Sequence, residues 1–360
     1  QNKVHLTVVG PEAPLAAGVV NVFRARGLKI FGPTKEAAQL ESSKDFAKRF
    51  MARHNIPTAE FATFSESTAA HAYIDQKGAP IVIKADGLAA GKGVVVAMSL
   101  AEAHTAIDDM LSGNKLGDAG ARVVIEEFLD GEEASFIVMV DGKNVLALAS
   151  SQDHKRIGDG DTGPNTGGMG AYSPAPCVTP EVHAKAMREI ILPTVRGMAA
   201  DGIPFTGFLY AGLMIARDGS VKTLEFNCRM GDPETQPILM RLKSDFVDLL
   251  EHGIDGTLDQ VEAEWDRRVA LGVVLAAANY PDTPKKGDVI HGLPAGNSFG
   301  EDAHVFHAGT ADWDGQVVTS GGRVLCVTAL GENVKLAHKR AYEAAEQIAW
   351  DGMQFRTDIG

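Results

Sequence analysis

The sequence predicts a multidomain protein of mixed α/β and α+β class. With 360 residues, 45% of them apolar and 22% charged, the chain is long enough for two or three domains. Near its start, strand-like segments at 4–9 and 28–31 flank a helical segment at 19–26, and this β-α-β order predicts a parallel sheet. Strand signals at 270–278 and 323–328, followed by one final helix, predict a β-rich domain at the end.

Local signals place the other elements. The sequence predicts a loop at 10–14, a helix at 43–53, and strands at 80–84, 94–98, 123–128, 135–140, 208–215, 222–227, 288–291 and 304–307. Ser99 and Glu102 have the spacing of a capping box, which marks a helix start. Asp218-Gly219 predicts a hairpin turn. Residues 153–176 form a long polar, glycine-rich segment, and loops of that length are usually functional or disordered.

Charge and cysteine content exclude several classes of protein. A net charge of −13 disfavours nucleic-acid binding, which depends on clustered Lys and Arg. The apolar runs are too short for a membrane-spanning helix, so no membrane partner is expected. Three widely spaced cysteines indicate neither a disulfide framework nor a zinc site, and predict a cytoplasmic location. The chain opens at Gln1 without a leader, and we expect its first strand to enter midway through a fold.

A glycine-rich turn between two strands carries the first candidate binding residues. Lys84 ends one strand, and Gly91, Lys92 and Gly93 precede the next. A P-loop would need a hydroxyl residue and a helix after its lysine, so the pattern predicts a strand-loop-strand flap. Backbone N–H groups of such a flap can cradle phosphates while Lys84 supplies a positive charge. The alternative is a hairpin that is glycine-rich for turn geometry alone.

An acidic segment at the end of a strand predicts a place for a nucleotide base and its ribose. Backbone groups there can bind the base edge, and a carboxylate can accept both ribose hydroxyls, for which Glu133 is preferred. A solvated acidic turn is the alternative. The candidate residues are Glu126, Glu127, Phe128, Leu129, Glu132 and Glu133.

The strongest signal is Leu224-Glu225-Phe226-Asn227-Cys228-Arg229. Because strand side chains alternate, Glu225, Asn227 and Arg229 should share one face while Phe226 and Cys228 point into a core. A carboxylate and an amide oxygen are hard ligands suited to Mg²⁺. Arg229 can hold a carboxylate or a phosphate. The alternative is a polar edge strand with an ion pair.

Two further polar segments predict a substrate site and its cover. Asp153-His154-Lys155-Arg156 and the glycine-rich residues 166–170 would suit a mobile cover that excludes water from a phosphorylated intermediate. The loop at 230–236 follows the Glu225 strand directly. An ordinary charged turn is the alternative for residues 153–156.

With these motifs, the chain resembles the glycinamide ribonucleotide synthetase family of ATP-grasp ligases along nearly its whole length. The matching runs are Val9–Leu15, Ile83–Gly93, Glu126–Ser135, Gln152–Arg156, Gly163–Gly170 and Glu225–Gln236. The resemblance implies an ATP-grasp fold preceded by a partial parallel α/β domain and followed by a small β-rich domain. The implied bounds are 1–40 for the remnant of the first domain, 41–256 for the ATP-grasp domain with a flap-like subdomain at about 62–126, and 257–360 for the last domain.

The resemblance also implies a reaction and roles for individual residues. Glycine and 5-phosphoribosylamine would be joined with ATP, through glycyl phosphate, in purine biosynthesis, by a protein expected to be a monomer. Lys44 and Lys84 would contact phosphates, Glu126 to Leu129 the adenine, and Glu133 the ribose. Glu225 and Asn227 would hold Mg²⁺ or Mn²⁺. Asp153, Lys155 and Arg229 are the candidates for orienting the two substrates.

Two departures from the family pattern and two other functions remain open. Family members begin with a strand and a glycine-rich loop that lie before this chain's first residue. The strand at 208–215 lacks the acidic metal ligand that many ATP-grasp enzymes place there, so a second ion would need a ligand elsewhere. Another ATP-grasp carboxylate–amine ligase or a small-molecule phosphotransferase is the alternative enzyme, and a non-catalytic nucleotide-binding module is the alternative outside catalysis.

Overall fold

The computed structural model describes residues 3–88, 93–112 and 121–360, which divide into two compact units. The first unit is Gln1–Leu148, Cys177–Met230 and Phe246–Glu262, and the second is Ala149–Pro176, Gly231–Asp245 and Ala263–Gly360. Both contain helices and strands, which confirms the predicted mixed class. The predicted domain bounds at 40 and 256 stay a prediction.

The strands are numbered in chain order. They are β1 (Thr7–Val8), β2 (Ile30–Phe31), β3 (Phe61–Phe64), β4 (Ile81–Ala85), β5 (Val94–Ala97), β6 (Val123–Glu127), β7 (Glu132–Asp141), β8 (Val145–Ala147), β9 (Gln152–Asp153), β10 (Arg156–Gly158), β11 (Thr162–Asn165), β12 (Gly170–Ser173), β13 (Thr206–Ile215), β14 (Val221–Asn227), β15 (Val269–Ala276), β16 (Ala303–His307), β17 (Thr310–Trp313), β18 (Gln316–Thr319) and β19 (Arg323–Gly331).

The α-helices are numbered in the same way. They are α1 (Glu12–Ala17), α2 (Val19–Ala25), α3 (Gln39–Ser42), α4 (Lys44–Arg53), α5 (Ser67–Lys77), α6 (Leu100–Ile107), α7 (Pro180–Lys185), α8 (Leu192–Ala200), α9 (Thr235–Met240), α10 (Phe246–Asp255) and α11 (Val334–Ala345). A π-helical turn, Asp108–Ser112, continues α6. No helix in the described ranges is both long and apolar enough to cross a membrane.

The first unit contains two antiparallel four-stranded sheets and one short parallel pair. The sheets have the orders β3-β6-β4-β5 and β14-β13-β7-β8, and β1 pairs in parallel with β2. Helices α5 and α6 cover one face of the first sheet, where Ile74, Ile83, Ile107 and Ile125 are fully buried. Burying each such side chain contributes about 1.5–3 kcal/mol. This packing fixes the strands that carry Lys84 and Glu126.

The second unit is built on a five-stranded antiparallel sheet of order β16-β19-β15-β12-β9. Helix α11 packs on this sheet through Ala337, Ala341 and Ala345, which are fully buried as their spacing predicts. Strands β9 and β12 come from residues 149–176, so a distant chain segment completes the sheet. Two hairpins, β10-β11 and β17-β18, belong to the same unit.

Several local predictions are confirmed. The predicted helix start is confirmed, because Ser99 is the N-cap of α6 and its Oγ accepts from Glu102 N at 3.3 Å. Glu102 Oε2 accepts from Met98 N, one residue before the cap, at 2.7 Å. The hairpin at Asp218-Gly219 joins β13 to β14, with Gly219 at φ +76°. Strands β4 and β5 pair as the predicted flap requires.

Three predictions about local structure were wrong. The expected loop at 10–14 is largely helix α1, because Pro14 lies in the first turn, where no intrahelical N–H bond is needed. The expected strand at 288–291 makes only isolated bridges, at Val289 and His291. The segment 153–176 is not one long loop, since β9 to β12 lie within or at its ends.

Candidate functional site

The first unit buries a carboxylate between two lysines. Lys48 from α4 and Lys84 from β4 reach the same oxygen, Oε2 of Glu126 on β6, at 2.9 and 3.0 Å. The side chains of Lys48 and Glu126 are only 2% and 3% exposed. Lys48 also donates to Thr58 Oγ1 at 2.7 Å, and Lys84 to the Leu224 carbonyl at 3.3 Å. Each ammonium group is therefore held from two directions.

The start of α4 determines where its lysines lie. Ser43 caps the helix by accepting from Phe46 N at 3.1 Å. Asp86, which follows β4, accepts from Asp45 N at 2.8 Å and from Ser43 Oγ at 3.1 Å. It therefore joins the helix start to the β3-β6-β4-β5 sheet, called the flap sheet below. Lys44 and Lys48 are four residues apart and share one helix face. Lys44 Nζ donates to the Gly87 carbonyl at 3.3 Å.

The lysines give this part of the first unit a local positive charge. Burial lowers the pKa of Lys48 to about 8, although the charge of Glu126 opposes the shift. Burial also lowers the pKa of Lys44, and here the negative charge of Glu225 is the largest opposing influence. Lys44 and Glu225 are thus close enough to interact. A bound anion would favour the charged forms of the lysines.

Two buried oxygen atoms in this region have no hydrogen-bond partner among the described residues. They are Oε1 of Glu126 and Oγ1 of Thr223 on β14. An unpaired buried polar group costs about 1–3 kcal/mol. The charge and these oxygens together fit a ligand that has anionic groups and hydrogen-bond donors, as a nucleotide has.

Strand β14 presents the predicted cation ligands. Phe226 and Cys228 are each 2% exposed, while Glu225, Asn227 and Arg229 are partly exposed, so the predicted alternation of faces is confirmed. The two oxygen-bearing side chains suit a hard cation that completes its coordination with water and phosphate oxygens. In the part of the chain that the structure describes, no group of three or more His, Cys, Asp or Glu residues is arranged to hold a metal ion.

Arg229 is held by two carboxylates that the sequence analysis missed. Its Nη2 lies 3.2 Å from Glu41 Oε1 and its Nε 3.5 Å from Glu12 Oε2, and Nη2 also donates to Asn227 Oδ1 at 3.3 Å. Glu41 accepts from Cys228 N at 2.7 Å. Burial raises the pKa of Glu41, and the charge of Arg229 opposes this. The guanidinium orientation is therefore fixed by α1 and α3.

The segment predicted to contact a base leaves the sheet one residue before the predicted strand end at 128. Strand β6 ends at Glu127, whose side chain contacts Lys222 at 3.2 Å, and Phe128 and Leu129 follow outside any strand. A side chain at Gly131 would collide with the Ile215 carbonyl, so the turn needs glycine. Glu132 and Glu133 begin β7 and are exposed.

The predicted flap loop is described only in part. Gly93 is buried, and its carbonyl accepts from Ala85 N at 2.8 Å. Gly91 and Lys92 lie outside the described residues.

The remaining predicted residues, Asp153 and Lys155, belong to the second unit. Asp153 lies in β9 opposite Ala171 of β12, and the Lys155 carbonyl accepts from Thr166 N at 2.7 Å. Both side chains are half-buried. Between them, His154 has a buried Nδ1 atom without a hydrogen-bond partner among the described residues, and burial lowers its pKa. His154 is a further candidate that the sequence alone did not support.

Three matches to one family cover most of the chain. Residues 1–41 match the N domain of phosphoribosylglycinamide synthetase, residues 42–235 its ATP-grasp (A) domain, and residues 270–360 its C domain. The chain belongs to the phosphoribosylglycinamide synthetase family. The predictions of this family and of the ATP-grasp fold are confirmed. The family's ATP-grasp domain implies the use of ATP and a divalent cation.

Curated relatives with one shared name match this chain over 99–100% of its length. A phosphoribosylamine–glycine ligase from Ralstonia nicotianae is 71% identical over 99% of this chain and 84% of its own length. The ligase from Neisseria meningitidis serogroup A is 69% identical over 100% of this chain and 84% of its own length.

Solved structures agree as well. The phosphoribosylamine–glycine ligase of Thermotoga maritima is 41% identical and superposes with a TM-score of 0.84, over 92% of this chain and 82% of that one. A biotin carboxylase domain from Hydrogenobacter thermophilus, solved with MgADP, has a TM-score of 0.75 at 15% identity over 98% of this chain and 76% of that one. The second likeness shows the fold alone.

Proposed function

We propose that this chain joins glycine to 5-phosphoribosylamine in an ATP-dependent reaction that releases ADP and phosphate. The observation that carries the proposal is 65–71% identity over 99–100% of the chain to bacterial proteins named phosphoribosylamine–glycine ligase. The product is glycinamide ribonucleotide, and the reaction is an ADP-forming carbon–nitrogen ligation of purine biosynthesis. The other predicted functions lack a comparable observation.

Lys44 and Lys84 are proposed to bind the phosphates of ATP. The charges of Lys84 and Glu126 both influence the pKa of Lys44. Two buried lysines, Lys48 and Lys84, oppose the one carboxylate of Glu126, which favours an anion there. The backbone around Gly91, Lys92 and Gly93 is proposed to cover the phosphates. These groups position the nucleotide and neutralise charge, which is most of what phosphoryl transfer requires from a protein.

Glu225 and Asn227 are proposed to hold the divalent cation, Mg²⁺ or Mn²⁺. Oxygen ligands from alternate positions of one strand support this assignment, and the charge of Lys44 close to Glu225 favours a phosphate that the cation could share. When bound, such a cation neutralises charge on the phosphoryl group being transferred. The ammonium group of Lys44 is proposed to neutralise charge on the same phosphoryl group.

The base and ribose are proposed to lie along residues 126–133. Phe128 and Leu129 follow the end of β6, so their backbone groups are outside the sheet's hydrogen-bond ladder. Oε1 of Glu126, at the start of this segment, is a buried acceptor without a hydrogen-bond partner among the described residues. Glu127 and Glu132 border the proposed site, and Glu133 is the proposed partner of the ribose hydroxyls.

The substrates are proposed to be oriented by Arg229, Asp153 and Lys155. A carboxylate oxygen of glycine attacks the γ-phosphorus of ATP, which gives glycyl phosphate and ADP. The amine nitrogen then attacks the acyl carbon, the C–O bond to phosphate breaks, and the nitrogen loses a proton. No step needs a nucleophilic side chain. Arg229 is suited to holding a carboxylate, because Glu41 and Glu12 already fix its plane.

Measuring ADP release with glycine alone and with both substrates tests the ligase proposal. We expect release to depend on both. ADP release at full rate without the amine would instead favour the phosphotransferase. Glycine labelled with oxygen-18 in its carboxylate should transfer one labelled atom to phosphate, and label-free phosphate would contradict glycyl phosphate.

We propose a cytoplasmic location for this protein. All three cysteines are free thiols, and Cys228 and Cys326 are buried, which supports the reducing cytoplasm. The monomeric state and the absence of nucleic-acid and membrane partners stay predictions.

A further inference from the structure

Two histidines face each other between helices α5 and α6 of the first unit. The Nδ1 atoms of His71 on α5 and His104 on α6 are 2.6 Å apart, the ring centroids are 4.8 Å apart, and the ring planes are inclined by 26°, so the rings meet edge to edge. Neither residue belongs to the proposed ligase site. The pair is open to solvent, since the side chains are 25% and 34% exposed.

Each histidine is held by an aspartate from the opposite helical segment. His71 Nε2 lies 2.8 Å from Oδ1 of Asp108, which starts the turn after α6, and His104 Nε2 lies 2.9 Å from Oδ1 of Asp75 on α5. His71 and Asp75 are four residues apart, as are His104 and Asp108. The two helices therefore exchange carboxylates in a reciprocal arrangement.

This arrangement determines which ring nitrogens carry protons. An ionised carboxylate only accepts hydrogen bonds, so Nε2 of each histidine must be the donor. In a neutral imidazole the other nitrogen, Nδ1, then has a lone pair and no proton. The lone pairs of His71 and His104 would point at each other across 2.6 Å, which is repulsive. A cation between the two nitrogens removes the repulsion.

We propose that the cation is a divalent transition metal such as Zn²⁺, bound by Nδ1 of His71 and Nδ1 of His104. Histidines that ligate metals almost always donate their other N–H to a carboxylate or carbonyl, as both do here. Imidazole nitrogen suits zinc, copper and nickel. Asp75 and Asp108 place two negative charges beside the pair, and these attract a divalent ion more strongly than a single proton.

The geometry needs only a small adjustment. Zinc–nitrogen bonds of about 2.0–2.1 Å at a tetrahedral angle place two ligand nitrogens about 3.3–3.4 Å apart. Small rotations of the half-exposed rings would open the present separation by less than about 1 Å. Water completes the coordination, because the described residues supply no third protein ligand at this place. The bound ion would join α5 to α6 on the flap sheet.

Zinc titration calorimetry at pH 7.5 without nucleotide tests the site. We compare the unaltered protein with His71→Ala, His104→Ala and the matched control His5→Ala. His5 also meets a carboxylate, Glu251, with 2.6 Å between His5 Nε2 and Glu251 Oε1, but it pairs with no other histidine among the residues that the structure describes. We expect one zinc site in the unaltered protein and in His5→Ala, and at least tenfold weaker binding in the other two.

Two further variants and one spectrum distinguish ligation from misfolding. Asp75→Asn and Asp108→Asn keep both imidazoles and should weaken zinc binding by about 10–100-fold, the cost of losing an outer-shell partner. In nitrogen-15 spectra of the unaltered protein, zinc should shift the Nδ1 signals of both histidines. Absence of binding, binding unchanged by both histidine variants, or Nδ1 signals that respond to pH but not to zinc would overturn the proposal.

Discussion

The charge of Glu225 can be removed with little change in shape, because Gln has nearly the same size as Glu. In Glu225→Gln, glycinamide ribonucleotide formation should fall by about 100-fold or more, because losing an outer-shell partner alone costs a metal site about 10–100-fold. The melting temperature should stay close to that of the unaltered protein. Steady-state rates at saturating Mg²⁺ and a thermal melt measure both. Glu189→Gln removes an exposed carboxylate paired with Arg188 and should keep its rate, whereas a Glu225→Gln rate within twofold would exclude Glu225 as a ligand.

The buried cluster around Glu126 predicts an order of stabilities. Glu126→Gln leaves the ammonium groups of Lys48 and Lys84 without their anion, which should cost about 3–5 kcal/mol of unfolding free energy. Lys48→Met should cost about 1–3 kcal/mol, because Glu126 keeps its contact with Lys84. Lys222→Met, which removes an exposed ion pair with Glu127, should cost less than about 1 kcal/mol. Denaturant titration of the three variants measures the order, and a Lys48→Met loss equal to that of Glu126→Gln would contradict it.

The pKa of Lys48 makes a separate prediction about pH. Burial lowers this pKa from 10.5 to about 8, so between these values the unfolded chain binds a proton at Lys48 that the folded protein lacks. The contribution of Lys48 to unfolding free energy therefore rises with pH in this window. The melting temperature of the unaltered protein minus that of Lys48→Met should increase between pH 8 and pH 10. A Lys48 difference that falls or stays level as the pH rises would contradict the lowered pKa of Lys48.

At the scale of elements, the sequence allowed prediction of features that depend on residues close together in the chain. The alternation along β14 and the Ser99 cap of α6 depend on residues two or three positions apart, and both are confirmed. The contact between Lys48 and Glu126 joins residues 78 positions apart, and that between Glu41 and Arg229 joins residues 188 apart. Only the four-residue spacing of Lys44 and Lys48 could have indicated Lys48, whereas nothing in the local sequence indicated Glu41.

Two loop predictions were wrong because the sequence signals for a loop are also compatible with a short helix or strand. Gly10-Pro11 and Pro14 are common loop signals, yet proline is tolerated in a first helical turn, and α1 begins at Glu12. Strands β9 and β12 are short, and pairing with β15 of a distant segment stabilises β12. Such tertiary stabilisation overrides the polar, glycine-rich composition from which a loop was expected.

The glycine-rich segment of the second unit can be tested through one contact. Gly168 has φ +120°, and a side chain there would collide with Pro233 Cδ in the loop that begins at Gly231. Gly168→Ala should therefore displace that loop and lower both ligase rate and melting temperature. Gly160→Ala is the matched control, because Gly160 also has positive φ, at +65°, but its substituent would meet open space. Gly160→Ala should lose only about 1 kcal/mol from backbone strain, and equal losses in rate for the two variants would contradict a role for the contact.

At the scale of the whole molecule, a chain of net charge −13 must attract an anionic nucleotide through local charge. Lys44, Lys48 and Lys84 supply that charge from one helix and one strand, while Glu126 limits it to what a buried site tolerates. The family could be predicted because its motifs are contiguous runs of sequence. The division into two compact units could not be predicted, because each unit is assembled from three separated segments.

Nucleotide binding should therefore stabilise the protein in a pattern that identifies the proposed site. A non-hydrolysable ATP analogue with Mg²⁺ at 100 times its Kd should add about 2.7 kcal/mol of stability. Amide hydrogen exchange should slow most in α4, β4, β6 and β14, because these elements carry the lysines, Glu126 and Glu225. Lys84→Met should lose at least tenfold in affinity and the matching protection, whereas the exposed Lys339→Met, on α11, should retain both. Protection that avoided β6 and β14 would place the nucleotide elsewhere, because backbone groups buried beneath a bound ligand open less often.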